Sequence, residues 1–108
     1  MTFSLNASMF DLLVLSVIAR SDSYGYQISQ TIKQAADTKD SALYPILKRL
    51  QENGHLRTYD QQFQGRNRKY YTITDSGLHY LEYLISEWNS HKEQIDNIVN
   101  GGLINDEK

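Results

Sequence analysis

The stretch Lys39–Thr72, KDSALYPILKRLQENGHLRTYDQQFQGRNRKYYT, decides how this chain folds. Its first part carries a helical pattern: Leu43, Ile46, Leu47 and Leu50 fall at i, i+3, i+4 and i+7 and bury one face, while Ser41, Tyr44, Lys48 and Gln51 line the other. Pro45 has no amide hydrogen and clashes with the turn before it, which puts it in the first helical turn and the cap near Ser41 or Ala42. Asn53 and Gly54, residue types that accept left-handed backbone, end the helix. His55–Tyr59 then alternates as a strand does, and Lys69–Ile73 is rich in β-formers. The segment between them, with Gly65 and its cations, makes the pair a hairpin with a polar, cationic tip.

Charge gathers in the same window. It holds seven Lys/Arg (Lys39, Lys48, Arg49, Arg57, Arg66, Arg68, Lys69) against three acids (Asp40, Glu52, Asp60), within a chain of net charge -2. Cations collected on one helix and the hairpin after it, in an otherwise acidic molecule, suit a surface that replaces the counterions of duplex phosphates.

Upstream, Asn6–Arg20 is apolar on overlapping helical faces through Met9, Leu12, Leu13, Val14, Leu15, Ile18 and Ala19, so this helix is buried on most sides. Ser21, Asp22 and Ser23 break it and offer capping oxygens to a second helix starting near Tyr24 or Gly25. That helix carries Ile28, Ile32 and Ala35 inward and ends in Asp37–Asp40; Gly25 reads as a close approach of two backbones. Downstream, Thr74, Asp75, Ser76 and Gly77 cap a last, long helix. Along it Leu78, Leu81, Ile85, Trp88, Ile95 and Val99 form a seam interrupted by Lys92, about three turns longer than a small domain needs to bury, and such a seam asks for a partner. The expected architecture is mainly α with a small β hairpin (α+β). It comprises a winged helix-turn-helix over residues 1–73, a dimerisation helix over 74–100 and a frayed tail over 101–108.

With 108 residues, 40% of them hydrophobic and 22% charged, the chain has room for one ordinary globular domain. It has no cysteine, which removes disulfide and thiolate chemistry and fits a reducing compartment. The longest apolar stretch, Met9–Ala19, contains Asp11 and Ser16 and is too short to cross a bilayer, and no cationic region precedes it, so a cytoplasmic protein without a membrane partner is expected. Catalysis is not expected. His55, His79 and His91 do not cluster in sequence, Glu87 with His91 makes only half a metal site, and no glycine-rich phosphate loop or paired nucleophile and base occurs. Neither a metal nor a cofactor is anticipated.

Specific residues go further. Tyr24, Gly25 and Tyr26 open the second helix; Leu43, Tyr44, Pro45, Ile46, Leu47, Lys48, Arg49 and Leu50 form the third, closed by Asn53 and Gly54; Arg68, Lys69, Tyr70 and Tyr71 precede Thr74 and Gly77. In this order and spacing, over residues 8 to 98, the chain resembles the PadR family of transcriptional regulators, and its single long C-terminal helix is similar to that of the small subfamily. The resemblance implies a homodimeric bacterial DNA-binding protein, usually a repressor of detoxification, stress or efflux genes, that binds an inverted-repeat operator. It also implies release of DNA on binding an aromatic or cationic compound, which in some small members stacks at the dimer interface on a tryptophan matching Trp88.

A recognition helix presents its N-terminal side chains to base edges while flanking groups hold phosphates. That logic selects Ser41, Tyr44 and Lys48 on the third helix, and Arg66, Arg68 and Lys69 on the wing, as the double-stranded DNA contacts. Tyr26 either adds a phosphate contact or packs beneath its helix. Alternation puts Tyr70 and Tyr71 on opposite faces, so at least one packs the wing onto the helices. Trp88 is either a packing residue or a ligand-stacking one. Lys92, a charge on an apolar seam, marks either a wet cavity between protomers, and so a ligand contact, or the end of close packing. The dimer interface is expected from Leu12, Leu78, Leu81, Ile85, Trp88, Ile95 and Val99. The rival readings are a winged-helix module that binds another protein and never DNA, or a small-molecule-binding dimer that has lost its DNA contacts; neither accounts for the segregated charge.

Overall fold

The computed structural model describes residues 6–101. Helix α1 (Ala7–Arg20) starts where the Asn6 side chain accepts a hydrogen bond from the Met9 N–H at 2.9 Å, and it turns Phe10, Val14, Leu15 and Ile18 inward. A short strand β1 (Ser23–Tyr24), helices α2 (Gly25–Ile32) and α3 (Asp40–Glu52), strands β2 (Leu56–Phe63) and β3 (Arg66–Ile73), and helix α4 (Asp75–Asp96) follow, with a wider π-type turn over Asn97–Gly101. The three strands form one antiparallel sheet in the order β1-β3-β2. Its core packs Ile28, Ile32 and Ala36 against Leu43, Leu47 and Leu50 of α3, Leu56 and Tyr71 of the hairpin, α1, and Leu81 and Leu84 of α4. This is the winged helix-turn-helix arrangement expected, mainly α with a small sheet. Of the frayed tail expected over 101–108, Gly101 closes the turn after α4, and 102–108 lie outside the described residues.

Local expectations are corrected in five places. First, α3 begins at Asp40 after Lys39, a cap with no side-chain hydrogen bond, earlier than Ser41 or Ala42. Asp40 is held instead from α2, where the Ser29 hydroxyl donates to its carboxylate and Lys33 pairs with it at 2.8 Å. Pro45 therefore falls in the second turn, where the Ser41 carbonyl loses its helical donor. Second, α2 has no capping side chain either: Ser23 is spent in β1, its hydroxyl donating to the Ser21 carbonyl at 2.8 Å. Third, the inward alanine after Ile32 is Ala36, because the chain leaves the helix there through a turn.

Fourth, the hairpin strands run longer than expected and meet at a turn of two residues, Gln64 and Gly65, with φ of 51° and 77°. Positive φ at both central positions makes a type I′ turn, whose twist matches that of paired strands. Fifth, Leu81 points into the protomer's own core with Leu84, which the seam omitted, and so leaves the list of exposed contacts. Leu78, Ile85 and Ile95 remain exposed along α4, and Ile98 and Val99 in the turn after it.

Two polar junctions lock these elements together. At the hinge into α4, the Thr74 hydroxyl donates to the Gly54 carbonyl at 2.6 Å and accepts from the Gly77 N–H at 3.0 Å, while the Thr74 N–H donates to the His55 carbonyl at 3.1 Å. Gly54, at φ 82°, closes α3, with the His55 N–H reaching back to the Leu50 carbonyl at 2.9 Å. In the interior, buried Asp11 of α1 accepts from Arg49 of α3 at 2.5 Å on one oxygen and from the Tyr80 hydroxyl of α4 at 2.8 Å on the other. Hydrogen bonding to Asp11 raises the Arg49 pKa, and burial, reinforced by the same carboxylate, raises that of Tyr80.

A methyl group on Gly77 would stand 2.2 Å from the His55 carbonyl oxygen and 2.7 Å from Ile73 Cγ1. Gly77→Ala therefore destabilises the protein by about 1–3 kcal/mol in urea denaturation, although alanine is the better helix former by about 1 kcal/mol. An unchanged midpoint would show that α4 can shift off β2 freely. The Lys33 and Ser29 hydrogen bonds hold the Asp40 pKa below its ordinary 3.8. The contribution of this link is thus complete above pH 3.8 and lost as pH falls through the lower folded value. Asp40→Asn flattens that acid limb in a pH series of thermal melts.

Candidate nucleic-acid interface

The hairpin's two faces do different work, and strand alternation assigns them. Asn67, Lys69, Tyr71 and Ile73 share one face of β3; Arg66, Arg68, Tyr70 and Thr72 share the other. Tyr71 is buried and packs the wing onto the helices, and burial raises its pKa. Lys69 stands beside it, its ammonium 5.6 Å from the Tyr71 ring centroid. Between this face and α3 runs an open groove of about 440 Å³ lined by Tyr44, Lys48, Gln51, Glu52, Lys69 and Tyr71. Three of the residues selected from sequence, Tyr44, Lys48 and Lys69, thus meet in one concavity. Ser41 is exposed on the N-terminal turn of the same helix, and Arg66 is exposed beside the wing's turn.

Tyr44 is 56% exposed, yet its place is set from below by Gly25: a Cβ there would come 3.2 Å from the Tyr44 ring. The glycine makes room for an aromatic ring rather than for a second backbone. Tyr26, next along the first turn of α2, is 63% exposed and does not pack beneath its helix.

Arg68 lies elsewhere. Its guanidinium sits over the rings of Tyr24 at 4.4 Å and Phe63 at 4.2 Å, on the face of the wing away from the groove. Tyr70 extends this layer, edge-on to Tyr24 at 5.5 Å and stacked on Tyr59 at 5.6 Å. The Tyr59 hydroxyl donates to Asp22 at 2.8 Å, which raises its pKa and ties β2 to the loop ahead of β1. Such cation–π sandwiching stiffens a hairpin whose backbone pairing alone is marginal. Arg49 is also withdrawn from the basic surface, since Asp11 neutralises it.

The second cluster lies at the other end. Trp88 lines an open pocket of about 220 Å³ between α1 and α4, together with Met9, Leu12, Tyr83, Leu84 and Glu87. Lys92 is exposed and is not part of that wall, so the pair proposed as ligand contacts is divided. Among the described residues, no helix is long and apolar enough to cross a membrane, and no three His, Asp or Glu side chains are grouped to hold a metal ion.

Sequence reasoning did not find the Asp11–Arg49–Tyr80 junction. Its one signal was a lone acid inside the apolar run Met9–Ala19, which reads as an interruption until a partner is known. The aromatic sandwich around Arg68 gave no signal, because Tyr24 reaches it through a strand of two residues, too short to show any period.

Known proteins share this architecture. The chain resembles smu.1704 of Streptococcus mutans UA159, at 51% identity over 94% of this chain and 95% of that one, with a TM-score of 0.89. It is also similar to a PadR family transcription regulator of Clostridium difficile R20291, at 29% identity over 84% and 98% of the two chains and a TM-score of 0.78. Bacillus subtilis PadR, solved in complex with operator DNA, matches at 28% identity over 71% of this chain and 46% of that one, with a TM-score of 0.64. The family model of the PadR-like transcriptional regulators covers residues 14–83, from α1 through the wing into α4. With a groove between recognition helix and wing, and the family model matching residues 14–83, this chain belongs to the PadR-like family of DNA-binding transcriptional regulators.

Proposed function

We propose that the protein is a homodimeric, ligand-responsive repressor that binds an inverted-repeat operator. The observation that carries this reading is the groove joining Tyr44 and Lys48 of α3 to Lys69 of the wing. From this side of α3, Ser41, Tyr44 and Lys48 address the major groove, with Tyr26 on a flanking phosphate. Lys69 holds the backbone beside them, and Arg66 at the wing's turn reaches the adjacent minor groove. Arg68 contributes by stiffening the wing from its far face.

The exposed apolar residues Leu78, Ile85 and Ile95 of α4, and Val99 of the turn after it, support pairing with a second copy, while Leu12 and Trp88 line the pocket between α1 and α4. At about 220 Å³ that pocket is smaller than the ~300 Å³ at which drug-sized sites begin, so a second protomer would complete it. An aromatic or cationic compound stacked on Trp88 near Glu87 would shift the dimer between geometries whose recognition helices do or do not match half-sites about one helical turn apart. Genes of detoxification, stress or efflux are the class of target this mode of control serves.

Gel shifts on the DNA upstream of the protein's own gene, with nonspecific competitor, test the reading. Lys48→Ala, Lys69→Ala and Arg66→Ala should each weaken binding and lower the slope of log affinity against log salt by about 1, with little change in melting temperature. Unchanged slopes in all three would take α3 and the wing out of the footprint. Ile85→Glu with Ile95→Glu should yield monomers in sedimentation and lose the shift, whereas a dimer that persists would place the self-association surface elsewhere.

A further inference from the structure

Helix α3 is seated by Leu43, Leu47 and Leu50, but apolar contacts are non-directional and resist a roll about the helix axis only weakly. A roll of about 10° moves a side-chain end lying 5–6 Å from the axis by about 1 Å. Hydrogen bonds to base edges do not survive such a displacement, since their donor–acceptor distances vary by only about 0.5 Å. Attraction to phosphates acts over about 8–10 Å and is indifferent to it. Whatever fixes the roll of α3 therefore controls discrimination between sequences more than affinity for DNA as such.

Arg49 occupies the flank of α3 away from Tyr44 and Gln51, and its side chain, 43% exposed, reaches a carboxylate that is 3% exposed. Asp11 Oδ1 receives Arg49 at 2.5 Å, and Oδ2 receives the Tyr80 hydroxyl at 2.8 Å. The Tyr80 ring is clamped in turn, stacked on His55 at 4.7 Å, while His55 Nδ1 lies 2.8 Å from the Ser76 hydroxyl of α4. One directional linkage thus runs from α3 through α1 to the first turns of α4, and none of its members lines the groove toward DNA. Resting on the operator reading above, we propose that Asp11, Arg49 and Tyr80 are positioning residues for sequence recognition: they fix the roll of α3 and let it tell an operator from other DNA without touching either.

The test begins by enriching a duplex from a random-sequence pool with the full wild-type chain. Affinity for that duplex and for a scrambled one of equal length is then compared among variants shown by circular dichroism to be folded. Tyr80→Phe, which keeps charge and ring, should lower the ratio of the two affinities about threefold, and Arg49→Met about tenfold. Arg49→Lys, which keeps a cation opposite Asp11, should retain most of the ratio, and scrambled-duplex affinity and its salt slope should stay close to wild type throughout. A salt slope lowered by about 1 on both duplexes in Arg49→Met would make Arg49 a phosphate contact and overturn the proposal. So would an unchanged ratio in Tyr80→Phe, which settles the matter even if Arg49→Met fails to fold. If the wild-type chain enriches no sequence, the operator reading falls and takes this proposal with it, an outcome distinct from failure in the variants alone.

Discussion

A single buried carboxylate, Asp11, joins the three helices that the molecule must keep in register. Taking that charge out of water is costly, and it is tolerated because each oxygen meets a committed donor, Arg49 on one side and the Tyr80 hydroxyl on the other. Apolar packing around it supplies most of the driving force for folding, yet would accept several arrangements of similar burial. The ionic junction selects among them. It also explains a loss of charge from the basic surface, because one of the two adjacent cations of α3, Arg49, is paired with Asp11 while Lys48 remains open to solvent or phosphate.

The second constraint is the knot at Thr74, whose hydroxyl and N–H together tie the turn between α3 and β2 to the first turn of α4. The end of α3, the start of β2 and the start of α4 are held within hydrogen-bond distance there, and Gly77 is the residue that permits the approach. The wing and the long helix therefore do not hang on a flexible linker. A displacement of α4 has to move the base of β2, and with it the strand that carries Asp60 opposite Lys69.

Much of this was legible in the chain. The spacing of Leu43, Leu47 and Leu50 gave the recognition helix and its buried face, and Thr74 with Gly77 marked the start of the last helix, because local periodicity and capping chemistry act over a few residues. What was not legible depends on contacts distant in sequence. Asp11 and Arg49 stand 38 residues apart, and the start of α3 at Asp40 is decided by Ser29 of the preceding helix and Lys33 just after it rather than by its own cap. Leu81 shows the limit of pattern reading on α4: it fits the exposed seam by spacing, but α1 lies close enough to claim it for the core. Of the residues selected for DNA, Tyr44, Lys48 and Lys69 converge as the alternation of helix and strand implies. Arg68 is separated from Lys69 by the same alternation, which a reading by charge alone passed over.

The tight Gln64–Gly65 turn leaves the wing no slack. Each residue from Phe63 to Leu56 has its partner between Arg66 and Ile73, and the turn contributes only the two residues that reverse the chain. One residue added to β3 between Lys69 and the buried Tyr71, and not absorbed as a bulge, would exchange the faces on the turn side of it, sending Lys69 toward the aromatic layer and Arg68 toward the groove. A wing of this kind keeps its two faces when it lengthens by matched residues on both strands, so its reach along a duplex changes in discrete steps rather than continuously.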